Sequence, residues 1–162
     1  MYFVLCVLVV FLTSACANGV TSSGSQNELS EPYRLALDEL ISTDTALNEN
    51  IEYISLDFDK ELPLEDSDKQ SIERYLHNKF NVKIYNLTYE QLVKEELYDQ
   101  GGTTLKGILL KIEKQEQSDN KNSITIEVTK YRSNQGALSA KVTLTYQDGQ
   151  WKIVNKIPTS ES

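Results

Sequence analysis

The sequence predicts an α+β fold in which three helices pack on a curved antiparallel sheet that ends in a four-stranded meander. Two observations carry this reading. Apolar residues recur every three or four positions through the first half of the chain and every second position from Thr103 onward, and strong turn sequences cut the alternating half at three places. Helices first and strands last is the order in which helices segregate to one face of an antiparallel sheet.

The first helix opens at Ser30-Glu31-Pro32, with Ser30 as N-cap and the proline in the first turn, where no intrahelical N–H is required. Tyr33, Ala36, Leu37, Leu40 and Ile41 then form one apolar stripe. A strand follows in IEYISLDF, because Ile54, Leu56 and Phe58 alternate with Ser55 and Asp57. The second helix follows Asp66 or Ser67 and buries Ile72, Tyr75, Leu76 and Phe80; a short strand, VKIYNL, comes next. Thr88 with Gln91 three residues later is a capping box. Tyr89, Leu92, Val93 and Leu97 give the third helix its stripe, and Gly101-Gly102 is its stop.

In the alternating half, Ile108, Leu110 and Ile112 share a face, as do Ile124, Ile126 and Val128, then Leu138, Ala140, Val142 and Leu144, then Trp151, Ile153 and Ile157. The breaks are Ser118-Asp119-Asn120-Lys121-Asn122, Asn134-Gln135-Gly136 and Asp148-Gly149. The closing segment TYQDGQWKIVNK resembles the last hairpin of cystatin-like and NTF2-like domains, which implies helices filling the concave side of the sheet. From Tyr33 onward, and in KYRSNQGA above all, the chain also resembles a set of uncharacterised Gram-positive bacterial proteins. That resemblance implies a fold and a location but no activity.

With 162 residues, one compact domain plus appendages is the expectation. Residues Tyr2 to Leu12 are unbroken apolar, and eleven helical residues span only ~16 Å of a ~30 Å hydrocarbon core, so this is a signal-peptide core and not a membrane span. Thr13-Ser14-Ala15-Cys16 resembles the lipobox of bacterial lipoproteins, which implies diacylation of Cys16. Ordinary cleavage near Ala15 or Ala17 with free secretion is the alternative. The expected organisation is a signal peptide over 1–15, a lipidated Cys16 with a Ser-, Asn- and Gly-rich tether over 16–31, one domain over 32–158 and a disordered tail over 159–162. The chain is then expected on the outer face of the cell membrane. Its mature part lacks thiols, which excludes thiol catalysis, disulfides and Cys-ligated metal. Sixteen Lys and Arg against twenty-four Asp and Glu leave a charge of −8, which argues against a nucleic-acid partner.

Strand phase yields one polar cluster. With turns centred on Asn120, Gln135 and Asp148-Gly149, Lys130, Arg132 and Asn155 fall on the apolar face of the meander, and small Ala140 beside Lys130 leaves room for a ligand. Arg132 offers a fork suited to carboxylate or phosphate, so a small anion or a protein partner is the expected occupant. The plainer reading, and the preferred one, is that both cations lie near the strand end and snorkel to solvent while Asn155 bonds to backbone or a trapped water.

Other polar features read as solvated surface. The acidic run Asp57 to Asp68 has carboxylates that suit Ca²⁺ but lacks the glycine and ligand order of an EF-hand, so a loop that helps cap the second helix is preferred. His77 is the only histidine and sits beside the apolar stripe; Asp57 points away from the Ile54 face. The Asn86-Leu87-Thr88 sequon carries no weight beside the helix cap. No catalytic residue, metal or cofactor is expected. The leading function is a lipid-anchored extracytoplasmic binding or accessory domain; the alternatives are an NTF2-like isomerase, dehydratase or hydrolase using the concave pocket, and a structural accessory subunit of an envelope transporter.

Overall fold

The computed structural model describes residues 28–99, 101, 104–133 and 136–161. The expected signal peptide, Cys16 and most of the tether lie outside the described residues. Three helices, α1 (Ser30–Ser42), α2 (Asp66–Phe80) and α3 (Tyr89–Lys94), combine with six strands in one mixed sheet, so the class is α+β. The strands are β1 (Tyr53–Phe58), β2 (Lys83–Tyr85), β3 (Thr104–Gln117), β4 (Ser123–Ser133), β5 (Gly136–Gln147) and β6 (Gln150–Glu161), and their spatial order is β2-β1-β3-β4-β5-β6.

Local chemistry explains most boundaries. Glu65 caps α2 in a reciprocal box with Asp68, so part of the acidic run caps a helix, and Asn81 ends that helix with φ of 53°. The Thr88–Gln91 box starts α3 as expected. The helix stops at Lys94, before the glycine pair, because Glu96 adopts φ of 55° and the Leu97 N–H folds back onto the Leu92 carbonyl. Ser30 is buried inside α1 and donates to Glu28, so Leu29 and not Ser30 holds the N-cap position, and the domain begins before Pro32. At the other end β6 pairs with β5 out to Glu161, where the sequence suggested a disordered tail.

The sheet is not purely antiparallel. Strand β1 runs parallel to both β2 and β3, while β3 to β6 pair antiparallel in chain order. The physical reason lies in the connections: α2 and α3 are crossovers, and a helical crossover returns the chain in the same direction. The two crossovers use opposite faces. Helices α1 and α2 bury Tyr33, Leu37, Leu40, Ile72 and Leu76 against Ile54, Ile108, Leu110, Val128 and Val142, whereas Leu92 of α3 packs on Tyr53, Leu105 and Leu109 behind the sheet. The expectation of three helices on one face therefore fails at α3, and the burial of Tyr53 and Ser55, which plain alternation puts in water, shows why.

Gly107 makes this second layer possible. A Cβ there would lie 2.2 Å from the Tyr53 carbonyl oxygen and 2.6 Å from its ring, so only glycine lets Tyr53 lie against β3. Asp148 and Gly149 both take positive φ, 54° and 80°, as a tight hairpin turn requires.

Candidate functional site

Lys130 and Arg132 do come together on the helix-covered face, but the Lys130 ammonium and the Nε and Nη1 of Arg132 already donate to oxygens of the chain. Lys130 is fully buried, and its ammonium donates to the carbonyls of Ile41 (3.3 Å), Thr43 (2.5 Å) and Asp44 (2.8 Å) and to Asn48 Oδ1 (3.3 Å). Four oxygens thus surround three N–H groups at the C-terminus of α1, where the helix dipole also favours a cation. Burial pushes the Lys130 pKa down to about 8 while the Asp44 carboxylate pulls it up. Arg132 Nη1 donates to the carbonyls of Leu47 (2.8 Å) and Glu49 (2.7 Å), and Nε to that of Leu105 (3.4 Å). Between them the two cations fasten the 3-10 turn Thr45–Asn48 to the sheet.

Asn155 does not join them. A register shift between Thr143 and Leu144 inserts one residue into β6, so Asn155 pairs with Thr143 on the outer face and is exposed. Lys156 takes the inward place, with its ammonium 2.6 Å from Glu39 Oε1 and 3.0 Å from Thr43 Oγ1. The room expected beside Lys130 is also missing. Ser133 pairs with Gly136, and a register shift between Tyr131 and Ser133 then brings Leu138 rather than Ala140 opposite Lys130.

The open face carries a different cluster. Asp57 of β1 lies in register with Lys111 of β3, and Leu109 of β3 with Tyr131 of β4. The start of α3 stands over them, because Ser55 Oγ donates to the Leu87 carbonyl (2.8 Å) and accepts from the Leu87 N–H (3.1 Å), while the Tyr53 hydroxyl donates to the Leu97 carbonyl (2.6 Å). The result is a groove of about 220 Å³ lined by Asp57, Tyr89, Glu90, Leu109, Lys111 and Tyr131. The Tyr89 and Tyr131 rings meet edge to face with centroids 5.2 Å apart.

Electrostatics separate the two carboxylates of the groove. Burial raises the Asp57 pKa above its ordinary value, with Lys111 pulling it down and Glu90, Asp59 and Glu113 pushing it up. The Glu90 pKa is lowered by its own backbone N–H and by the Thr88 hydroxyl, which donates at 2.8 Å. Burial raises the Tyr131 phenol, and its hydrogen bond with Tyr89 adds to that. Lys111 Nζ also lies 3.8 Å from Glu113 Oε1. Among the described residues no group of three His, Cys, Asp or Glu side chains is placed to hold a metal, and exposed His77 turns Nδ1 to the Val82 carbonyl at 2.9 Å.

Strand alternation turns Asp57 away from the Ile54 face and by itself gives no role to Tyr89, Glu90, Lys111 or Tyr131. A signal was present. Tyr53, Ser55 and Tyr131 share the phase of Asp57 or of the strand face it belongs to, and aromatic side chains on a sheet face indicate that something covers it. The chain matches no protein-family model, no curated protein and no solved structure.

Proposed function

We propose that this chain is a small extracytoplasmic binding domain, held at the membrane by a lipid on Cys16, that takes its ligand in the groove beside α3 and performs no chemistry on it. The single observation that supports this most is the contrast in setting between a lined groove and a buried clasp. The groove offers two carboxylates, one ammonium and two phenols around the apolar floor of Leu109, whereas the Lys130–Arg132 cluster bonds backbone carbonyls. The helix-covered side is filled by apolar side chains, which favours binding on the open side over catalysis in a concave pocket. A cystatin-like or NTF2-like topology within the lipoprotein set described above is the finer reading of the fold, supported by the closing hairpin and by α1 lying across β4, β5 and β6.

Amide NMR of the full chain against mixtures of sugars, amino acids, nucleotides and carboxylic acids tests the site. Shifts clustered on Asp57, Glu90, Leu109, Lys111 and Tyr131 are expected; shifts clustered on Leu47 to Glu49 and Arg132 would overturn it. The anchor has its own test. A palmitate analogue should label wild type and not Cys16→Ser, and equal labelling of both would remove the lipid from the account.

A further inference from the structure

The groove's place in the topology narrows what it holds. The crossover from β1 to β2 runs through α2 on one face, and the crossover from β2 to β3 runs through α3 on the other, so the chain reverses its winding between neighbouring parallel strands β1 and β3. In open parallel sheets the carboxyl ends of the strands at such a reversal leave a crevice that ligands use. Asp57 and Lys111 pair one residue before the end of β1, while β3 runs on to Gln117, so the groove lies beside the carboxyl end of β1 on the sheet face where the first residues of α3 stand.

We propose that the groove binds a single neutral sugar ring, a hexose or N-acetylhexosamine; this rests on the groove being the binding face. The volume of about 220 Å³ suits one six-membered ring and is below the roughly 300 to 1,000 Å³ of pockets for drug-sized ligands. Charge excludes anions: Asp57 and Glu90 outnumber Lys111, and Glu113 also pairs with that lysine. A zwitterion would need its opposite charges met by separate subsites, but here Lys111 acts on both Asp57 and Glu90, so donors and acceptors are intermixed. Hydroxyl groups, each both donor and acceptor, match such a lining, and Leu109 with the Tyr89 and Tyr131 rings supplies the apolar contact that C–H faces of a sugar require.

Saturation-transfer NMR on the full chain in mild detergent, with glucose, galactose and N-acetylglucosamine in one arm and glycine, alanine and lysine in the other, tests the proposal. Transfer to the ring protons of at least one sugar is expected, with Kd raised about tenfold or more by Tyr89→Ala and by Asp57→Asn, and unchanged by Lys152→Ala at the far β5–β6 hairpin. Circular dichroism of each variant separates lost binding from lost fold. Transfer to an amino acid with the same dependence on Tyr89 and Asp57 overturns the sugar and leaves the groove as the binding face. Sugar binding equal in all variants, or no transfer to any probe, overturns the groove as well.

Discussion

The two faces of the sheet each carry a cluster of polar side chains, and they differ in where the polar atoms point. On the helix-covered face, Lys130 and Arg132 turn toward the C-terminus of α1 and the turn after it, and donate to backbone carbonyls there. On the open face, Asp57, Lys111 and Tyr131 line a groove that no described residue fills. A charged residue on an apolar face is therefore a poor guide to a site until its hydrogen bonds have been counted. The lysine and arginine that looked most available close the fold.

Replacing Lys130 breaks the comparison hardest. Lys130→Met preserves volume but strands the Thr43 carbonyl and the Asn48 amide oxygen, while the Ile41 and Asp44 carbonyls keep the Asn48 Nδ2 and Leu47 N–H donors, so a loss on the order of 2 to 3 kcal/mol is expected in denaturant unfolding. Stability within about 0.5 kcal/mol of wild type would mean that water serves those oxygens and that the clasp is incidental.

The same lysine gives a pH signature. Its folded pKa of about 8 lies below the ordinary 10.5, so between those values the unfolded chain binds a proton that the folded chain has released. Stability must then rise with pH across that window, by on the order of 1 to 3 kcal/mol, and the four oxygen acceptors hold the rise to the lower end. Buried Tyr33 works against this at higher pH, because its raised pKa means that folding opposes its ionisation. The difference between wild type and Lys130→Met isolates the lysine: it should narrow as pH falls from 10 to 8, and a flat difference would contradict the assignment.

The groove should show the opposite behaviour, with the smallest effect on stability. Asp57→Asn and Tyr89→Ala touch half-exposed side chains and should move unfolding by under about 0.5 to 1 kcal/mol. Asp57→Asn has a further reason to be mild, since burial already disfavours the carboxylate. A loss of several kcal/mol at either position would make the groove a structural element like the clasp.

How far the sequence reveals this molecule follows the range of the forces involved. The capping box at Thr88, the Asp148-Gly149 turn and the stripe of α1 are local, and each lies where residue chemistry puts it. Trp151 is buried against Tyr146 as its phase implies. Register is not local. The bulge in β6 that turns Asn155 out and Lys156 in leaves no mark in composition, and the pairing of Ser133 with Gly136, with the register shift beside it, moves β5 by two positions without changing which side chains face inward. The parallel pairing of β1 with β3 joins residues some fifty positions apart, and with it comes the groove, whose six lining residues come from four separate elements.

Anion titration measures the central contrast most directly. Thermal unfolding of wild type and Arg132→Ala is followed with phosphate and acetate added against chloride of matched ionic strength. Because Lys130 and Arg132 already donate to backbone carbonyls, any rise over the chloride control that phosphate or acetate brings by exclusion from the protein surface should be equal in wild type and Arg132→Ala, while Arg132→Ala should lower the midpoint in every salt alike. A midpoint that phosphate raises in wild type and not in Arg132→Ala would show donors free to bind an anion and would contradict the account.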